Sequence, residues 1–101
     1  MYFKINAYDG TDKDALSRRK NARPRHLQNM IRVMQTYSIP CAGGILNDEG
    51  TPIGSYLIME FPSREDLDKY LETEPYVTEK VWEKIEIEIC NPVIVDSEMR
   101  E

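Results

Sequence analysis

Gly54-Ser55-Tyr56-Leu57-Ile58-Met59-Glu60-Phe61-Pro62-Ser63-Arg64-Glu65-Asp66-Leu67 holds a strand, a break and a helix start in one short stretch. From Gly54 to Phe61 the apolar residues alternate. Ser55, Leu57, Met59 and Phe61 share one face; Tyr56, Ile58 and Glu60 share the other. A period of two predicts a strand with one core face. Pro62 ends it, and Ser63 is a good N-cap because its hydroxyl can accept a free N–H of the first turn. Glu65 and Asp66 then favour the positive end of the helix dipole. The helix runs to about Thr73 with Leu67, Tyr70 and Leu71 inward, and Pro75 stops it.

The same reading extends outward in both directions. Tyr2 to Tyr8 alternates, with Phe3, Ile5 and Ala7 on the core side. Asp9-Gly10 reads as a turn. Thr11 to Ala22 is mostly polar and opens with a short helical turn. Pro24 fits the first position of a helix, where a missing N–H costs nothing. Leu27, Met30, Ile31, Met34 and Tyr37 then follow helical spacing, a stripe that reads as core packing. Cys41 to Leu46 is a short strand in which Gly43-Gly44 suggests a bulge or the close approach of another group. Asn47-Asp48-Glu49-Gly50 is a turn. After Pro75, a short segment leads to a last strand in which Ile85, Ile87 and Ile89 alternate with Lys84, Glu86 and Glu88. Val93-Ile94-Val95 adds a short extension. The order is βαββαβ, an α+β domain over residues 1–95 with residues 96–101 as a frayed tail.

Two helices can cover only one face of a four-stranded sheet. The other face would carry Tyr2, Lys4, Asn6, Tyr8, Tyr56, Ile58 and Glu60. A tyrosine-rich, partly apolar face left bare marks an interface. The expected partner is a second copy, packed sheet to sheet as a homodimer.

The 101 residues make one domain, and a charged share of 31% is ordinary for a globular chain. A net charge of −5 argues against a general nucleic-acid binder. No apolar run is long enough to span a bilayer, and the N-terminus has no signal-peptide pattern, so a cytoplasmic location is the expectation. Two cysteines, Cys41 and Cys90, form no CxxC pair and read as reduced, small apolar side chains. One histidine makes a His/Cys metal set unlooked for, so no metal is expected.

Few residues point to chemistry. His26, in Arg23-Pro24-Arg25-His26, falls at the edge of the apolar stripe in the first turn of the predicted helix. An imidazole facing a cleft there could shuttle a proton near neutral pH, provided a carboxylate offsets the helix N-terminus. From spacing alone, a plain surface histidine at a helix start is the favoured reading. Glu74 stands at a helix end against an unfavourable dipole, which suits either a functional carboxylate or an ordinary exposed one. Arg18, Arg19 and Lys20 read as a solvated cluster; Arg23 could also clamp an anion. Gly43-Gly44 matches no phosphate loop. Trp82 reads as a large core or interface anchor.

Several of these segments together resemble the YciI-like (YCII-related) family. Arg23-Pro24 with His26-Leu27 resembles its RPxHL segment, and Ala42-Gly43 its AG. Gly54-Ser55 leading to Glu60-Phe61 and Ser63 resembles its GS…EF.S strand and cap. Glu74-Pro75-Tyr76-Val77 resembles its DPYV segment. The order and gaps agree from Tyr2 to about Cys90. The resemblance implies a ferredoxin-like fold of the dimeric α/β-barrel type. It implies a His–carboxylate dyad, with His26 on the family histidine and Glu74 on the family aspartate. Here the chain departs, because Glu replaces Asp. Arg23, Tyr76, Ser55 and Gly43 become expected substrate contacts. The function implied is cofactor-free acid–base chemistry, an elimination or isomerisation, on a small anionic organic molecule. A non-catalytic small-molecule-binding or structural dimer of the same fold is the alternative.

Overall fold

The computed structural model describes residues 1–100. The element order is β1 (Tyr2–Asp9), α1 (Ala15–Met34), β2 (Cys41–Leu46), β3 (Pro52–Glu60), α2 (Arg64–Thr73), α3 (Pro75–Thr78) and β4 (Trp82–Cys90). A hairpin of β5 (Ile94–Val95) and β6 (Glu98–Met99) follows. Strands β1 to β4 form one antiparallel sheet in the order β2-β3-β1-β4.

The alternation in the strands becomes two sheet faces. Phe3, Ile5 and Ala7 of β1 lie beside Met59, Leu57 and Ser55 of β3 and are buried. Ile85 and Ile87 of β4 continue that layer half-buried, while Ile89 at the sheet corner is exposed. The core adds Phe61, Leu67, Tyr70, Tyr76, Val81 and Trp82 from the segments that cover this face. Each large apolar side chain so buried contributes roughly 1.5–3 kcal/mol. Ser63 caps α2 as its sequence predicts, its Oγ accepting the Asp66 N–H at 3.3 Å. The opposite face carries the half-buried Tyr2, Lys4, Asn6 and Tyr8 with Tyr56 and Ile58.

Helix α1 departs from expectation. It runs unbroken from Ala15 to Met34, and Pro24 lies inside it. Its covered residues are Ala15, Arg19, Ala22, Met30 and Val33. With the nearly covered His26 between them, their spacing of four, three, four, four and three is one helical stripe. Leu27, Ile31 and Met34, expected in the core, are 41%, 58% and 53% exposed. Starting the helix at Pro24 had set its phase by apolar letters alone. The true inward face includes an arginine and a histidine that find buried partners, so tertiary contacts outweigh the proline's cost.

The C-terminus also differs. Residues expected to fray instead turn through Asp96 and Ser97, both left-handed (φ 51° and 62°). Two consecutive left-handed residues suit a two-residue hairpin. Glu101, the last residue of the expected tail, lies outside the described residues. Among the described residues no helix is long and apolar enough to cross a membrane.

Candidate active site

The inward stripe of α1 places Arg19 and His26 two turns apart over one end of the sheet. Beside them α1 and the β2–β3 edge of the sheet enclose a cleft of about 580 Å³. That volume lies in the usual range for small-molecule sites. Leu27, Met30, Met34, Ile39 and Leu57 make its apolar wall; Arg19, Arg23, His26, Ser55 and Tyr76 are its polar groups.

His26 Nδ1 lies 2.5 Å from Glu74 Oε1. The imidazole is 13% exposed and the carboxylate fully covered. A buried carboxylate is costly unless hydrogen-bonded, and Glu74 has three donors. Tyr70 donates its hydroxyl to Oε2 at 2.6 Å, Tyr76 its backbone N–H to Oε1 at 3.1 Å, and His26 completes the set. With Glu74 ionised and the imidazole neutral, the ring proton sits on Nδ1, because a carboxylate can only accept. Nε2 then holds the lone pair. It has no protein partner among the described residues, and His26 lines the cleft.

Two readings of the local dipoles change with this geometry. His26 is well inside α1 rather than in a first turn, so the helix N-terminus does not bear on it. Glu74 closes α2, yet it is also the N-cap of α3, with Pro75 next in the helix and Tyr76 N–H on its side chain. A carboxylate in that position satisfies an otherwise free donor. The longer glutamate side chain, in question as a replacement for aspartate, reaches the imidazole.

Aromatic rings hold the imidazole in place. Tyr76 stacks on it at 4.0 Å between centroids and 11° between planes, and Trp82 meets it edge-on at 6.2 Å. The Arg19 guanidinium stands 4.9 Å over the Tyr76 ring. Burial pushes the Tyr76 hydroxyl above its ordinary range, partly opposed by the Arg19 and Arg23 charges, so it stays protonated at neutral pH. Burial and then the adjacent Glu74 charge push Tyr70 far up, so it stays protonated and its proton is there to donate.

The predicted basic cluster separates into individual roles. Arg18 pairs with Asp12 at 2.7 Å and Arg25 with Glu79 at 2.6 Å on the surface. Arg23 is exposed at the cleft, one turn from His26, and no carboxylate pairs with it among the described residues. Arg19, expected to be solvated, is buried: Nη1 donates to both Asp9 oxygens at 3.1 Å and Nη2 to Ser55 Oγ at 3.0 Å. Ser55 also accepts Trp82 Nε1–H at 3.2 Å. Both bonds use the oxygen of Ser55 as acceptor, which leaves its own proton for a cleft occupant. Gly43 borders the cleft through its backbone. A Cβ there would stand 2.6 Å from the Tyr56 hydroxyl, so the glycine makes room for that ring.

Arg19, Asp9, Tyr70 and Trp82 thus join a site that sequence reading assembled from His26, Glu74, Arg23, Tyr76, Ser55 and Gly43. The signal for Arg19 was present in its spacing of seven from His26, once α1 is carried through Pro24. That for Tyr70 was its spacing of four before Glu74. Among the described residues no three His, Cys, Asp or Glu side chains stand together as a metal set. Cys41 and Cys90 are both free.

Comparison with known proteins agrees with this architecture. The chain is 29% identical over 77 residues to the aspercryptin biosynthesis cluster protein B of Emericella nidulans, covering 69% of this chain. It spans only 49% of that curated relative's length. Its fold matches the solved 5-chloro-2-hydroxyhydroquinone dehydrochlorinase of Burkholderia phenoliruptrix, in complex with 2,5-dihydroxybenzoquinone. The TM-score is 0.78 at 23% identity, over 90% of this chain and 94% of that one. A family model described as the YCII-related domain matches residues 1–91, and the chain belongs to that family.

Proposed function

We propose that this chain is a small acid–base enzyme that eliminates or isomerises a small anionic organic ring. The observation that carries the reading is the buried His26–Glu74 contact in a histidine that lines a cleft, with no protein partner on Nε2 among the described residues. In the proposed step, Nε2 takes an acidic proton from the substrate. The electron pair freed moves to expel a leaving group or to shift a double bond. The imidazolium then returns the proton to the product or to the leaving group. Glu74 keeps the ring in the reactive tautomer and stabilises the imidazolium. Arg23, the Ser55 hydroxyl and the Tyr76 hydroxyl offer donors to a substrate oxyanion. A positioned base contributes roughly 100- to 10,000-fold, which suits protons that are already acidic. Side chains suffice for every step, so the reading calls on no cofactor. The dehydrochlorinase of similar fold, solved with a dihydroxybenzoquinone, supports a ring of that size, by analogy of fold.

The test is solvent deuterium exchange followed by proton NMR over hydroxyquinols, cyclic 1,3-diketones and unsaturated lactones. The protein should speed exchange into at least one class, and His26→Ala should cut that rate by about 100-fold or more. No exchange above buffer, or exchange that survives in His26→Ala, overturns the reading.

The largely apolar cleft wall with one unpaired arginine supports a second reading, a module that binds a small anion without turnover. A binder would give saturable shifts of the His26 ring signals and no exchange. In either case we infer a homodimer that packs the open, tyrosine-bearing sheet faces together.

A further inference from the structure

We propose that Tyr70 is a positioning residue of the site, whose hydroxyl holds the second oxygen of Glu74 and so sets how strongly the His26–Glu74 pair binds a proton. The inference rests on the reading of His26 as the base, and it concerns a residue outside the cleft.

Oε1 of Glu74 faces both His26 Nδ1 and the Tyr76 N–H; Oε2 has a single partner among the described residues, the Tyr70 hydroxyl at 2.6 Å. Tyr70 lies one turn before Glu74 on α2, so the two side chains meet by helical spacing. Its ring packs on Phe61, 5.9 Å away with 26° between the planes, and its oxygen also lies 3.4 Å from Met30 Sδ of α1. The hydroxyl is held on two sides and can serve only Glu74 or the sulfur. With Tyr70 in place the carboxylate cannot turn without losing a short bond, and Oε1 stays opposite Nδ1.

The electrostatic sign follows from the states of the pair. Deprotonated, imidazole and carboxylate together carry one negative charge in a covered site. With one more proton they are neutral overall, whichever partner holds it. A hydroxyl donated to the carboxylate draws negative charge from it, so the carboxylate holds a proton, its own or the imidazole's, less strongly. Tyr70 therefore lowers the pair's affinity for a proton and keeps Nε2 unprotonated at less alkaline pH. The other charged and titratable groups near the site are Arg19 and Arg23 of α1 and Asp9 of β1, whose charges act on the Tyr76 hydroxyl of α3. None of them contacts Oε2, so they are common to the native chain and a Tyr70 variant.

The experiment is a proton and nitrogen NMR titration of the imidazole, unambiguous because His26 is the only histidine. Tyr70→Phe removes one oxygen and keeps the ring. The titration midpoint should move up by roughly one pH unit. In a Glu74→Gln background the same change should move it little, since no carboxylate remains to be held. A merely structural tyrosine predicts no shift in the first case, or equal shifts in both; either overturns the proposal. Should Tyr70→Phe not fold, the native protein decides. A slowly exchanging, low-field Tyr70 hydroxyl proton with a cross-peak to the Glu74 methylene supports the proposal, and its absence overturns it. No turnover is read in these titrations. Absent deuterium exchange with a normal midpoint shift sinks the enzyme reading alone, and exchange with no shift sinks the Tyr70 role alone.

Discussion

Replacing Arg19 by methionine tests the part of the site that sequence reading treated as solvent-facing. The side chains of Arg19 and Asp9 are 9% and 4% exposed. Losing one partner of a buried ion pair strands the other charge, at a cost of about 3–5 kcal/mol. The geometry favours the lower end. One guanidinium nitrogen serves both Asp9 oxygens, so the pair is not a two-nitrogen fork. Ser55 keeps its Trp82 donor when Arg19 goes. A loss of about 3 kcal/mol is expected, and for a domain of this size it lowers Tm by roughly 12 °C or more. The loss should depend on pH. Burial already raises the Asp9 carboxyl, with Arg19 opposing it; without Arg19 it rises further. A folded-state pKa above the unfolded one means the native state holds its proton more tightly. That contribution is fully present below the unfolded pKa and is lost as pH rises through the folded one. Urea unfolding should therefore show a small gap between native and Arg19→Met proteins at about pH 3.5 and the full gap at about pH 7. Adding Asp9→Asn should recover much of it, because the stranded charge is gone. A loss under about 1 kcal/mol, or one that is the same at both pH values, would refute the buried pairing.

Other outcomes follow from the same geometry. Gly43→Ala should be mild, within about 1 kcal/mol, because the atoms a Cβ would meet are the far end of the half-exposed Tyr56 ring. Gly54→Ala should cost about 3 kcal/mol or more, because its Cβ would meet the backbone oxygen of Ala7 in a central strand; denaturant titration of both separates them, and equal costs would contradict the strand register. The Asp12 carboxyl, held down to about 2 by the Arg18 hydrogen bond, should titrate there by NMR and return towards its ordinary value of 3.8 in Arg18→Gln. The stability it adds is present above the unfolded pKa and is lost as pH falls through the folded one. Light scattering should give twice the 11.8 kDa chain mass, and Tyr56→Glu on the open face should shift the mass towards the monomer. A native mass near 11.8 kDa refutes the dimer.

Strand positions and the second helix were legible locally. A period of two sorts Phe3, Ile5 and Ala7 from Lys4 and Asn6 whatever the strand pairs with, and the Ser63 cap needs only the next turn. The order of these elements limits the topology. Helix α1 resisted local reading because a proline looks the same at a helix start and inside a helix. Its energetic cost is local, while the contacts that outweigh it come from elsewhere in the chain.

The site shows the same division more sharply. Sequence by itself determined which residue types could carry chemistry: one histidine, a glutamate before Pro75, and a run of arginines. The pairing of His26 with Glu74 came from the family resemblance and not from spacing, and only the tertiary structure decided the partners of Arg19 and Tyr70. His26 and Glu74 are 48 positions apart, and Arg19 and Ser55 are 36 apart. Helical phase decides which way a side chain points, but not what meets it across the core. The burial that covers Glu74 and Arg19 arises only when α1 closes over the sheet, and burial is what turns an ordinary carboxylate and guanidinium into fixed, directional groups. Charge and spacing are properties of the chain; desolvation is a property of the fold.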